Sequence, residues 1–412
     1  MKKYVIIGNG VAAAGCIEGI RTQDTVSEIT VISQENHPVY CRPLISYCLE
    51  GKTTVDKMDY RKKDFYSKNN CKVLYGTQAV SIDSRKKRVI TENGDALPYD
   101  ELCIAAGSSP FVPPFPGLDT VEKKFSFMTI DDMQALEQAI DQSTRVLIVG
   151  AGLIGLKCAE GISDRVSEIT VCDLADRILS SILDEECAAL MQKNLENHGL
   201  RFLLGDSVAA FDHTTAKMNS GKEVAFDVLV LAVGVRANTA LLKEIGGEVN
   251  RGILIENKMQ TSIAHIYAAG DCTEGTDISS GQKKVLAILP NAYMQGRCAG
   301  INMAGGQAVF DNAIPMNANG FFGLHALTAG SYPADSEIYE EKGEDFIKRL
   351  YLKDGFLAGY ILVGKVERAG IYTSLIREKT PLSGIHAEML KKSPSLAIFL
   401  PETRRKKLGG VL

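Results

Sequence analysis

The hexapeptide VSEITV occurs twice, at residues 26–31 and again at 166–171, and the segments in front of the two copies constrain the fold more than any other feature. YVIIGNGVAAAGCIEGI (4–20) precedes the first copy and RVLIVGAGLIGLKCAEGI (145–162) the second. Each opens on a short β-branched run of the kind that forms a buried parallel strand. Each then passes through glycines, Gly8-x-Gly10 in the first and Gly150-x-Gly152-x-x-Gly155 in the second. A helical pattern of small and apolar residues follows, and VSEITV itself reads as the next strand. The unit is strand, Gly-rich turn, helix, strand, and the chain carries it twice.

The chemistry of such a turn is specific. Its first glycine permits the tight bend, the second keeps the backbone bare where a pyrophosphate approaches, and the third lets helix and strand pack closely. The helix then points free N–H groups and its positive dipole end at the phosphates. In the first unit the third position is Ala13, so Gly8, Gly10, Val11, Ala12 and Ala13 are the candidate cradle; in the second it is Gly150, Gly152, Leu153, Ile154 and Gly155. Asp173, just after the second VSEITV, is placed to bind an adenosine ribose, and a carboxylate there repels a 2′-phosphate, favouring NAD over NADP. After the first copy the acidic residue slips two positions, to Glu35, which is assigned to the other ribose.

A chain of 412 residues predicts two or three domains. The apolar run in MKKYVIIGNG ends at Gly8, too early for a signal peptide, and no stretch reaches the roughly 18 apolar residues of a membrane helix. A net charge of −4 and the lack of a basic domain argue against nucleic-acid binding, and the basic clusters at 85–88 and 404–407 read as a solvated turn and tail. Ten cysteines occur with no CxxC spacing, so no zinc or iron–sulfur site is expected and free thiols in a reducing cytoplasm are.

Further motifs give the chain its resemblance. YDELCIAAG (99–107), the proline-glycine turn at 114–117, FDVLVLAVG (226–234), TSIAHIYAAGD (261–271), and LPNA followed by QGR (289–292, 295–297) are similar to segments of the pyridine nucleotide-disulfide oxidoreductase superfamily. That resemblance implies an α/β fold of two interleaved Rossmann-like dinucleotide-binding domains plus a small α+β C-terminal domain. The FAD domain is expected at 1–115 and 240–310, the NAD domain at 116–239 and the third domain at 311–412. It further implies FAD contacts from Val80, Ala105, Ala106, Gly107, Gly270, Asp271, Pro290, Asn291 and Ala292, with Asp271 on the ribityl chain, and NAD contacts from Val233 and Gly234. Within 311–412, residues 311–330 read as an Asn/Gly-rich stretch, followed by strands at 346–352 and 356–363 and a helix at 366–376.

Two departures from the family pattern stand out. Lys157 occupies the position where the family carries a Glu within GxGxIGxE, and the flavin-side loop HPVYCRPLISYCLEG (37–51) offers no Lys to face it. Lys157 then either approaches the flavin N5 and the nicotinamide as a catalytic cation or lies on a solvated helix face. Cys41 sits near the position of the family's redox cysteines. Yet Tyr40-Cys41-Arg42-Pro43 is more similar to the Tyr-x-Arg-Pro segment of rubredoxin reductases and of the flavin module of NAD(P)H nitrite reductases, where Arg42 and Pro43 contact FAD and the x position is inert. His37 and His325 are lesser candidates for a general acid, and Cys48 for a partner of Cys41.

The function these features imply is an FAD-dependent NADH oxidoreductase that hands electrons to a separate acceptor, a small carrier such as rubredoxin or ferredoxin. One alternative is an NADH oxidase, peroxidase or CoA-disulfide reductase working through Cys41. Another is a nucleotide-sensing flavoprotein subunit, suggested by Ala106, Lys157 and Met128 at altered positions. The third domain is expected to form a homodimer contact or shape the acceptor site, with the tail at 390–412 as a possible partner seat.

Overall fold

The computed structural model describes residues 1–392 and 394–408; positions 393 and 409–412 of the expected third domain and tail lie outside the described residues. The two Gly-turn units open two parallel sheets of the same construction. In the first, the strand order is Cys71–Leu74, Ile29–Ile32, Tyr4–Ile7, Glu101–Ile104, Ile266–Ala268. In the second it is Leu200–Leu204, Glu168–Asp173, Arg145–Val149, Val228–Leu231, Lys124–Phe125. Every neighbouring pair in both runs parallel. Each sheet also carries a three-stranded antiparallel meander, 79–98 in one and 208–225 in the other. The likeness that VSEITV announces therefore extends over a whole sheet.

The two copies of VSEITV do not fold identically. In the second, the strand takes in Glu168–Asp173; in the first, only Ile29–Ile32 is strand. Asp24 Oδ1 accepts from the Val26 and Ser27 N–H groups and holds in a turn the stretch that leads into the shorter strand.

A long-range contact fixes the first site. The helices Val11–Arg21 and Leu289–Met303 meet backbone to backbone through glycines four apart on each, Gly15 and Gly19 against Gly296 and Gly300. A Cβ on Gly296 would stand 1.9 Å from the Ala12 carbonyl oxygen, and one on Gly300 2.1 Å from that of Cys16. Only bare Cα atoms allow this approach, and it sets the N-termini of both helices side by side.

The C-terminal part is a five-stranded antiparallel sheet in the order Met316–Phe321, Leu324–Gly330, Phe356–Val363, Ile347–Lys353, Glu337–Lys342, covered by the helix Ala369–Arg377. The strands at 347–353 and 356–363 and the helix match expectation to within a few residues. The Asn/Gly-rich stretch corrects it: residues 316–330 form a hairpin, turning at Phe322 and Gly323, both at positive φ (47° and 85°). Such a two-residue turn has the twist that antiparallel strands favour. No described helix is long and apolar enough to cross a membrane.

Candidate active site

The glycines of the two turns are used as the chemistry requires. Gly8 and Gly150 sit at φ +102° and +118°, and a Cβ on either would strike a carbonyl oxygen, of Ala105 at 2.1 Å or Ala232 at 2.3 Å. Gly155 packs against the Gly150 carbonyl oxygen, 2.0 Å from where its Cβ would stand. Gly10 and Gly152 differ from these. They are the N-caps of their helices, and a Cβ on either would meet nothing within 4 Å. Each turn thus keeps open the one position where a phosphate has to approach.

Around Gly10 the other first-site residues converge. Gly270, at φ +84°, ends the Ile266–Ala268 arm; its Cβ would stand 3.0 Å from that of Ala12 and 3.7 Å from that of Ala292. Its N–H donates to Gln295 Oε1 at 2.8 Å. Asp271 follows, half-buried and accepting no hydrogen bond from any described residue; burial raises its carboxyl above the usual range, with the Arg42 charge working the other way. Ala105, Ala106 and Gly107 close the far wall, held by Asn238, which donates to the Ala106 carbonyl at 2.8 Å. In the meander, a register shift between Ala79 and Ser81 leaves Val80 without a cross-strand partner. An open glycine at a helix N-terminus and, close by, a half-buried carboxylate with no donor among the described residues fit a dinucleotide such as FAD.

Two first-site residues, Glu35 and Asn291, have partners within the chain. Glu35 is engaged by the chain itself: it forms an ion pair with Arg42 and accepts from the Tyr40 hydroxyl at 2.6 Å. Arg42 also donates to the Met128 carbonyl at 3.0 Å. The segment after the first strand pair folds back, so Glu35 meets Arg42, beside Pro43. Asn291 is fully buried, and its side chain donates to the Ile314 carbonyl at 3.1 Å. It is the backbone N–H of Asn291, beside Pro290 in the first helical turn, that has no intrahelical acceptor.

At the second turn, Asp173 is fixed by two backbone donors, Ala151 N at 2.7 Å to Oδ2 and Ala175 N at 2.8 Å to Oδ1. The carboxylate is thereby held at the rim of the Gly152 cradle. Leu153 and Ile154 form the first turn of the helix Leu153–Ile162, and Val233 and Gly234 (φ +109°) follow the neighbouring strand.

Lys157 is neither a free amine nor a solvated one. Its side chain is 15% exposed, and Nζ donates to Glu160 Oε2 at 2.5 Å and to the Gly320 carbonyl at 2.6 Å. It lies about equally close to the Tyr47 and Phe321 rings, at 5.1 and 5.0 Å from their centroids. Glu160, which sequence reasoning missed, accepts from the Phe322 N–H at 2.7 Å. Asn194 donates to the Phe321 carbonyl at 2.9 Å, and the His198 ring stacks on Phe322 at 4.3 Å. The helix that expects a nucleotide at its N-terminus therefore grips the tip of the C-terminal hairpin with its next turn. Its far end packs on the flavin-side helix Leu44–Leu49, where a Cβ on Gly161 would stand 3.2 Å from Leu49.

Two influences act on Cys41, and the larger is burial; the Leu44 backbone donor at the start of the helix Leu44–Leu49 works against it. Burial raises its thiol, and the Arg42 guanidinium is spent on Glu35, Tyr40 and Met128. Cys48 is likewise raised by burial, and both are free thiols. A thiolate nucleophile needs the opposite surroundings. His37 pairs with exposed Asp131 at 2.9 Å, and His325 is exposed beside Gly320. Arg377, which no motif marks, reaches Asn291 Oδ1 at 3.4 Å from a helix 86 residues further on.

The comparisons with known proteins agree with this geometry. The family model described as pyridine nucleotide-disulphide oxidoreductase matches residues 2–296. The NADH-dependent phenylglyoxylate dehydrogenase subunit epsilon of Aromatoleum evansii is 30% identical over 401 residues, covering 94% of this chain and 94% of that one. The assimilatory nitrate reductase electron transfer subunit of Bacillus subtilis is 32% identical over 390 residues, which are 92% of this chain but only 50% of that protein. A solved NAD-dependent persulfide reductase from A. fulgidus superposes with a TM-score of 0.86 at 26% identity, over 99% of this chain and 84% of that one. The chain belongs to the pyridine nucleotide-disulphide oxidoreductase family, as an FAD-dependent NAD(P)H oxidoreductase.

Proposed function

We propose that this enzyme takes hydride from NADH and passes the electrons to a separate, protein-borne carrier such as a rubredoxin, a ferredoxin or a redox subunit of a larger complex. The observation that carries this reading is the state of Cys41. Burial raises its thiol against the pull of the Leu44 backbone donor, and the adjacent Arg42 guanidinium is engaged by Glu35, Tyr40 and Met128, which makes Cys41 a poor recipient of electrons from the flavin. The relatives' names support the same view: an electron transfer subunit, and a subunit of an NADH-dependent dehydrogenase.

Bound FAD supplies the two-electron chemistry. The chain's own residues bind and orient. Gly10 and the first turn at Val11, Ala12 and Ala13 receive one pyrophosphate; Gly152, Leu153 and Ile154 receive the other. Asp173 binds the ribose hydroxyls and selects NADH over NADPH, because a second anion beside a carboxylate is repelled. Lys157 acts as a positioning residue that ties the nucleotide helix to the hairpin. The limits 1–115 with 240–310, 116–239 and 311–412 are the corresponding domain division, and a homodimer contact would be built on the last of these.

The alternative, a sulfur- or oxygen-reducing enzyme working through Cys41, is favoured by the persulfide reductase likeness. Purely non-catalytic nucleotide sensing is set aside by the family assignment. The test is stopped-flow reduction by NADH, followed by reoxidation with rubredoxin, ferredoxin, oxygen, peroxide and disulfides. Fast reoxidation by a carrier protein alone supports the proposal; fast reoxidation by a disulfide or peroxide that Cys41→Ser abolishes contradicts it.

A further inference from the structure

Arg377 is the last residue of the helix Ala369–Arg377, and its guanidinium turns inward onto the first turn of Leu289–Met303. Nη2 lies 3.4 Å from Asn291 Oδ1 and 3.6 Å from the Met316 sulfur. Nε is shielded from solvent and has no hydrogen-bond partner. The groups around it are neutral: an amide, a thioether and the Tyr360 phenol, with no carboxylate among the charges acting on it. Burial accordingly presses its pKa down, although an arginine stays charged. A half-buried cation with a shielded, idle N–H is stabilised when an anion answers it. No described side chain is that anion.

The geometry around Arg377 shows where an anion would sit. Asn291 is locked by Ile314 on one side and Arg377 on the other, so the guanidinium stands directly behind the helix N-terminus. That terminus already carries positive potential from its unpaired N–H groups. Its first turn borders Gly270 through Ala292, and Gly270 borders Ala12 at the Gly10 cradle. Arg377 thus adds a full charge to a dipole end that opens into the FAD site.

We propose that Arg377, acting through Asn291 and the N-terminus of Leu289–Met303, stabilises negative charge on the pyrimidine half of the bound flavin. Hydride from NADH carries two electrons and one proton to N5 and leaves NAD⁺; the ring then holds one negative charge, over N1 and the C2 carbonyl. A cation set behind that edge favours the charged ring and raises the two-electron potential. Arg377 is a positioning residue of the field rather than a catalytic one, since it reaches the ring only through Asn291.

Sulfite tests this without NADH or acceptor, because its addition to oxidised flavin at N5 leaves the same negative charge on the same edge. In the holoenzyme, Arg377→Met is expected to weaken sulfite binding at least tenfold. The potential should fall in step, about 30 mV for each tenfold change in a two-electron equilibrium. Arg377→Lys should keep most of both, because it keeps the charge. A wild-type sulfite affinity and potential in FAD-loaded Arg377→Met overturns the proposal. So does a Lys variant as impaired as the Met variant, which would mean the guanidinium serves packing. If Arg377→Met sheds FAD, the Lys variant decides: near-normal sulfite affinity supports the charge role and a tenfold loss refutes it. A changed acceptor KM with untouched sulfite affinity would place the anion on the acceptor instead and equally overturn the proposal.

Discussion

Gly152→Ala separates the cradle from the fold. Gly152 lies at φ −84°, ψ −174°, which alanine adopts freely, and its added Cβ meets nothing within 4 Å. On the folding side, removing a glycine from the unfolded ensemble contributes about 0.4–1 kcal/mol. The loss of a good N-cap residue costs a comparable amount, so stability should change by less than about 1 kcal/mol. On the binding side, the methyl enters the space reserved for the pyrophosphate and breaks at least one charge-assisted hydrogen bond from the turn, worth about 1.5–3 kcal/mol. That predicts a rise in KM for NADH of roughly 10- to 150-fold, with FAD content and melting temperature unchanged. Gly155→Ala is the contrasting variant, because its Cβ would stand 2.0 Å from the Gly150 carbonyl oxygen. Overpacking of that kind costs about 1–3 kcal/mol, so it should lower the melting temperature. The assays are thermal unfolding, flavin absorbance per protein, and the concentration dependence of flavin reduction by NADH. A Gly152→Ala enzyme with normal NADH dependence, or one that loses stability as Gly155→Ala does, refutes the reasoning.

The remaining predictions concern residues outside the turns. Lys157→Met leaves Glu160, 6% exposed, without its cation and should destabilise the protein by about 3 kcal/mol or more; adding Glu160→Gln should recover much of that in urea unfolding, whereas unchanged stability with slowed flavin reduction would make Lys157 a participant in the chemistry. Arg145 holds the Asp227 carboxyl down at about 2 against an ordinary 3.8. The native state therefore binds fewer protons, and the stabilisation is full above pH 3.8 and lost as pH falls through about 2. Asp227→Asn should flatten that acid limb of the stability curve; an unaltered limb contradicts it. Because burial lifts the Cys41 thiol above an ordinary 9.0, its alkylation should be slow at neutral pH and accelerate only in alkali, as mass spectrometry of iodoacetamide-treated holoenzyme would show; rapid labelling at pH 7 would restore the thiol mechanism.

The two phosphate cradles were legible because a glycine requirement is local. Nothing but glycine suits φ +102° at Gly8 or +118° at Gly150, so the pattern in the chain is the pattern in space. The equivalence of the two sheets was legible in their opening strands and again in YDELCIAAG and FDVLVLAVG, but not in the meanders at 79–98 and 208–225, which share topology without sharing residues. The hairpin at 316–330 was hidden for a different reason. Phe322 at φ 47° is a poor turn residue by itself, and the tip is held by contacts with Glu160, Asn194, Lys157 and His198, all far away in sequence. Glu35 shows the limit of spacing arguments. The spacing marks Glu35 as an acid near the end of the second strand, but the return of the loop that pairs it with Arg42 is a tertiary event. Lys157 was visible as a departure, while its partner Glu160, one turn along, gave no sign of being buried.

The most direct test is an anaerobic titration of the purified holoenzyme with NADH, followed through the visible flavin absorption. Complete bleaching at one NADH per FAD, without a long-wavelength thiolate–flavin band, is the result expected if two cradles present nicotinamide to flavin and no thiol shares the electrons. Bound FAD that stays oxidised under excess NADH, or a stoichiometry of two NADH per FAD, would contradict it.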